Sequence, residues 1–214
     1  MNKYIVEFIG TFFLVLTIGC TVLPGSPGVI PPIAIGTVLA LMIFAGGHIS
    51  GGHFNPAVTL AVTVRGKCTV QDAIPYVIAQ VGGAIVAAFT AKFLYAKAAA
   101  AKAAETAAAI QVGPAFVAEL LFTFALAWTV LNVATSKDTA NNSFYGWAIG
   151  SVVVVGAFSV GSISGGAFNP AVAVGGAFMG LFQWGNIWIH ILADLLGGLL
   201  AAIAFKSLST ADRE

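Results

Sequence analysis

Charge is what this sequence has least of. Only 8% of its 214 residues are Asp, Glu, Lys or Arg, while 59% are hydrophobic; an average soluble domain is about 25% charged. Nine basic and eight acidic residues cannot clothe a water-soluble protein of this size, so membrane lipid is the expected solvent of its outer surface. The net charge of +1, with no basic stripe, excludes a nucleic-acid footprint. Cysteine is scarce too. Cys20 and Cys68 make no disulfide framework and read as small apolar residues of a helix bundle. No nucleophile–base pair and no metal-ligand spacing occurs, so neither an enzyme nor a cofactor or metal site is expected. Strand-like alternation is also missing. The apolar runs are continuous, which favours membrane helices over barrel strands.

Six of these runs approach the roughly 20 helical residues that cross a hydrocarbon core. They cover residues 4–22, 32–47, 74–95, 115–134, 145–160 and 184–205, the second and fifth being short. The N-terminus resembles a secretory signal, but Glu7 interrupts the apolar run and no small-residue cleavage pattern closes it. It is therefore expected to remain as the first span. Leu23-Pro24-Gly25-Ser26-Pro27-Gly28 is a turn cluster. Residues 97–109, rich in alanine with Lys102 and Glu105, read as a water-exposed linker with helical tendency. Basic residues are biased to the cytoplasmic side. A cytoplasmic N-terminus puts Lys3, Arg65, Lys67, Lys137, Lys206 and Arg213 inside, against Lys92, Lys97 and Lys102 at or near the outside. The expectation is a multi-pass protein of the cell membrane with both termini cytoplasmic.

The strongest signal is internal. Residues 48–62 read HISGGHFNPAVTLAV and residues 162–176 read SISGGAFNPAVAVGG, agreeing at nine of fifteen positions without a gap. Upstream, Glu7 in Val-Glu-Phe-Ile-Gly-Thr-Phe matches Glu119 in Ala-Glu-Leu-Leu-Phe-Thr-Phe; Glu7 precedes Asn55 by 48 residues and Glu119 precedes Asn169 by 50. The chain is a duplication, with a first repeat over 1–96, a connecting loop over 97–113 and a second repeat over 114–214. Three spans per copy is an odd number, so the second copy enters the membrane from the opposite side. Inverted repeats commonly hold a transport site at their interface. Asn is a good N-cap and Pro is favoured at the first helical position. Asn55-Pro56-Ala57 and Asn169-Pro170-Ala171 should each open a short helix, over 55–65 and 169–178. At 1.5 Å per residue the helical turns from Pro56 to Val64 rise only roughly 14 Å, about half a bilayer core. The Ser-Gly-Gly stretches before them must be irregular backbone, tolerated in a membrane only inside protein or along a wet cavity. The two positive helix ends would then meet at the midplane.

These paired Asn-Pro-Ala sites, the run Ser50 to Thr59, the glutamate in the first span of each half, and Gln80 in Ile-Ala-Gln-Val-Gly-Gly resemble the aquaporin or major intrinsic protein family, of prokaryotic type. The resemblance covers nearly the whole chain. It implies an all-α fold of six transmembrane helices and two re-entrant half-helices, assembled as a homotetramer with one pore per subunit. Water or small uncharged solutes pass such a pore down their gradients, and its opposed half-helix dipoles exclude protons and cations. By matching motifs, Asn55 and Asn169 would donate to the passing molecule. The carbonyls of Gly51, Gly52 and His53, and of Gly165, Gly166 and Ala167, would accept from it. Glu7 and Glu119 would be the buried acceptors that hold the irregular loops, since a bare carboxylate in lipid is costly. Asp194 has no role in this pattern beyond a packing or loop-anchoring contact. His48 and His190 read as structural and His53 as part of the wall.

The chain departs from the family at one telling place. The Arg usual after the second Asn-Pro-Ala is Val172. The other constriction positions fall at Ile35, Ala157 and Gly166, a small, apolar and uncharged set. Such an aperture is expected to be wider, so that glycerol, urea, ammonia or hydrogen peroxide passes beside water. The alternative is that a side chain of the 97–109 linker refills the mouth. Two other readings of the whole remain open: a secondary transporter, whose ionisable coupling site is not evident beside either Asn-Pro-Ala, and a non-conducting scaffold of the same fold.

Overall fold

The computed structural model describes residues 1–104, 110–209 and 212. Glu105 of the linker, with its neighbours to 109, and Arg213 lie outside the described residues. Among the described residues the chain forms nine α-helices: α1 Asn2–Val22, α2 Ile30–Ser50, α3 Pro56–Val64, α4 Val70–Leu94, α5 Ala96–Ala104, α6 Val112–Val130, α7 Tyr145–Ser164, α8 Pro170–Met179 and α9 Ile187–Leu208. A π turn, Leu131–Thr135, extends α6. Six segments are long and apolar enough to cross a membrane.

The second and fifth spans are longer than the sequence suggests. Both continue through glycine-rich residues to a serine, and each stops where a glycine takes a left-handed cap: Gly51 at φ 88 after α2 and Gly165 at φ 91 after α7. A side chain at either φ would be strained, so glycine sets the helix end. At its start α2 also accepts Pro31 and Pro32 in its first turn, where a missing N–H costs nothing. The outward faces of the spans are apolar, with Phe93 83% and Ile78 67% exposed. Surfaces of that kind require lipid as their solvent.

The two halves pack alike. Helix α1 lies along α4 and α6 along α9, while α2 and α7 cross between the halves. Small residues make each approach close. A Cβ on Gly83 would collide with the Phe8 carbonyl, and one on Gly197 with the Leu120 carbonyl. At the crossing of the halves, Gly36 and Gly150 face each other's carbonyl oxygens in the same way.

The short helices α3 and α8 are held at both ends. Lys206 of α9 donates to the carbonyl of Val64, the last residue of α3, at 3.4 Å. Lys92 of α4 donates to the carbonyl of Phe178 in the last turn of α8 at 3.3 Å. Each cation meets the negative end of a helix dipole. The linker is not simply water-exposed. Helix α5 seats Ala99 in the core, with Ala98 packed against it.

Candidate functional site

Capping fixes the two Asn-Pro-Ala sites locally. Asn55 Oδ1 accepts from the N–H groups of Ala57 at 2.8 Å and Val58 at 3.4 Å. Asn169 Oδ1 accepts from Ala171 at 2.9 Å and Val172 at 3.4 Å. The side-chain amides then reach across the molecule. Asn55 Nδ2 donates to the Phe168 carbonyl at 2.8 Å, and Asn169 Nδ2 donates to the Phe54 carbonyl at 2.9 Å. A primary amide carries two N–H groups, so each Asn keeps one beyond this cross-link. Both asparagines border one cavity of about 330 Å³.

The residue before each Asn is strained. Phe54 has φ 48 and Phe168 φ 47, a left-handed conformation that costs a non-glycine residue about 1–3 kcal/mol. Both neighbours of the strained peptide are charged or dipolar. The Phe54 N–H donates to Glu7 Oε2 at 2.6 Å and the Phe168 N–H to Glu119 Oε2 at 2.6 Å. Their carbonyls take the opposing asparagines. The glutamates also accept from His53 N–H at 2.9 Å and Ala167 N–H at 3.0 Å. With its N–H groups turned back to a buried carboxylate, each loop presents its carbonyls to the other side.

The second coordination of Glu7 is fuller than that of Glu119. Glu7 takes Ser50 Oγ at 2.7 Å and Gln80 Nε2 at 2.8 Å. Gln80 also donates to Thr59 Oγ1 at 2.9 Å. In the second half, the place of Gln80, 25 residues after Asn55, is taken by Asp194, 25 residues after Asn169. Asp194 is fully buried and accepts from Thr123 Oγ1 at 2.9 Å, while its Oδ2 has no hydrogen-bond partner. It is the duplicated counterpart of Gln80, a relation that aligning the halves past their motifs would have exposed. Tyr76 and His190 form a similar pair. Tyr76 OH donates to the Ser50 carbonyl at 2.7 Å, and His190 Nε2 lies 2.9 Å from the Ser164 carbonyl. Each ring closes the end of the helix that leads into its loop.

Ile35, Ala157, Gly166 and Val172 all border the cavity that holds the asparagines, as do Gly52, His53, Gly165 and Ala167. Gly51 opens instead onto a separate hollow beside His48, Ser136 and Asn142. His53 Nδ1 lies 3.2 Å from Thr59 Oγ1. Sequence reasoning did not find the carbonyls of Phe54 and Phe168 as partners of the asparagines. The alternative that a side chain of the 97–109 linker reaches the mouth named no residue; Lys102 is the linker residue that borders this cavity among the described residues. Among the described residues no cluster of His, Cys, Asp or Glu has the arrangement to hold a metal ion.

Comparison with known proteins agrees with this architecture. The sequence matches the family described as "Major intrinsic protein" over residues 1–205. It is similar to the "Glycerol uptake facilitator protein-like 6" of Lactiplantibacillus plantarum, 37% identical over 217 residues that cover 99% of this chain and 100% of that one. It is 38% identical to Aquaporin-8 of Mus musculus over 213 residues, covering 95% of this chain and 80% of that protein. The solved aquaglyceroporin from Plasmodium falciparum superimposes with a TM-score of 0.84 over 97% of this chain and 96% of that one, a likeness of fold at 21% identity. With a family match across almost its whole length, two capped half-helices and an inverted duplication, this chain belongs to the major intrinsic protein family.

Proposed function

We propose that this protein is a passive channel of the cell membrane for water and small uncharged solutes, glycerol, urea, ammonia and hydrogen peroxide among them. The observation that carries the reading is the single cavity bordered by both capping asparagines and by Ile35, Ala157, Gly166 and Val172. A solute leaving bulk water needs replacement hydrogen bonds. The uncommitted N–H of Asn55 and of Asn169 is suited to donate, and the carbonyls of Gly52, His53, Gly165, Gly166 and Ala167, which border the same cavity, to accept. An apolar constriction without Arg lowers the cost of passing carbon-bearing solutes. It also leaves cation exclusion to fields outside that ring. Glu7 and Glu119 serve as anchors here, with their oxygens engaged by loop amides. This occupancy argues against their acting as coupling sites of a transporter.

The positive-inside bias supports cytoplasmic termini. The apolar outer faces, together with the family, support a homotetramer in lipid with one pore per subunit. The test is light scattering of proteoliposomes under osmotic gradients of impermeant solute, glycerol and urea. Expected is faster relaxation than in empty liposomes for all three. Val172→Arg should cut solute flux more than water flux. No acceleration over empty liposomes rejects the channel, and equal effects of Val172→Arg on both fluxes reject the account of its selectivity.

A further inference from the structure

The ring of Ile35, Ala157, Gly166 and Val172 carries no charge, yet the cavity it belongs to is not charge-free. Among its described lining residues, Lys102 is the one side chain with a formal charge at neutral pH. It comes from α5, outside both repeats. The register of that helix explains why Lys102 faces inward. Ala99 is buried in the core at 5% exposure and Ala98 packs against the same cluster. Lys102 stands one turn further on, three and four residues along, and so shares their face. Lys97, on the opposite side, is exposed while Lys102 is half-buried. The same wall includes Pro31, Pro32 and Leu181 at the ends of elements that open towards the linker. Lys102 therefore sits at that mouth of the cavity, with the uncharged ring deeper.

We propose that Lys102 is a specificity-determining residue of the pore: its ammonium supplies, from the linker, the positive charge that the ring lacks. This rests on the channel reading above. A cation entering a narrow mouth with apolar walls is poorly screened and feels a neighbouring ammonium strongly. Neutral solutes feel it little. Because the charge hangs from α5 and not from the ring, it repels cations without narrowing the aperture. Cation exclusion and solute size are thereby set by different residues.

The test compares Lys102→Met, Lys102→Arg and Lys102→Glu in proteoliposomes, measuring water and glycerol flux alongside potassium and guanidinium leak. Expected is a cation leak raised roughly tenfold in Lys102→Met, higher again in Lys102→Glu, and unchanged in Lys102→Arg, with neutral fluxes preserved. The added leak should shrink as ionic strength rises in the Glu variant. A folded protein can be titrated directly: Lys102→Cys, in a background with Cys20 and Cys68 replaced by Ser, is treated with a positively charged, a neutral or a negatively charged methanethiosulfonate. Only the positive reagent should restore exclusion. Normal water flux with a cation leak indifferent to charge at this position overturns the proposal and leaves the channel standing. Absent water flux in the unmutated protein overturns the channel reading itself.

Discussion

At the scale of single residues, the two buried carboxyl sites make opposite predictions. Glu7 takes four donors, from Ser50, His53, Phe54 and Gln80. Glu7→Gln turns one acceptor into an amino group that faces those donors. Each buried donor left unmet costs about 1–3 kcal/mol, so thermal unfolding in detergent should fall markedly and water flux should be lost with the loop. Asp194→Asn supplies the amide that Gln80 supplies in the other half. It should leave unfolding no lower and flux within about twofold. A stability loss in Asp194→Asn as large as in Glu7→Gln would show that the halves do not share this logic. Local chemistry was legible in the sequence. An Asn before a Pro announces a cap because the bonds are two and three residues away. The cross-links were not legible, because Asn55 and Phe168 are 113 residues apart and only the assembled fold brings them together.

At the scale of elements, hydropathy placed the spans but not their ends. Residues 48–50 and 161–164 lay beyond the expected spans and proved helical, since packing against neighbours overrides weak local propensity, that of Gly161 included. The C-terminal tail shows another long-range tie. Asp212, its side chain 2% exposed, accepts from the Arg65 guanidinium at 2.7 Å, Ser136 Oγ at 2.7 Å and Ser209 Oγ at 3.0 Å. The Ser136 hydroxyl, then Ser209, the Lys137 amide and Arg65, hold its carboxyl below the ordinary carboxylate range against the opposing effect of burial. A depressed folded value means that the tie is complete above the ordinary carboxylate value of about 3.9 and is lost as pH falls through the folded value. Amide-exchange protection at Lys137, corrected for intrinsic rate, should therefore be flat from about pH 5 to 8 and fall only in stronger acid. Asp212→Asn should lose it at neutral pH. Protection equal to that of the parent protein in Asp212→Asn would remove the carboxylate from this role.

At the scale of the whole molecule, duplication was the feature easiest to see and its closure the hardest. Nine matches in fifteen positions reveal two copies, but not that each copy's asparagine is satisfied by the other's backbone. The bonds Asn55–Phe168 and Asn169–Phe54 are reciprocal, the pattern a twofold dimer makes when one surface meets its own copy. Chains carrying residues 1–104 and 110–214, produced together, should accordingly associate and restore osmotic water flux in vesicles, while neither does so alone. Co-purification without flux would mean that an unbroken linker is needed for the pore. In the intact chain the linker turns an encounter between two membrane segments into an intramolecular one. The second half meets the first at an effective concentration fixed by the length of the tether, not by how crowded the bilayer is. Pore formation should then be independent of expression level, so a cell can carry very few copies and still have every one of them closed into a channel.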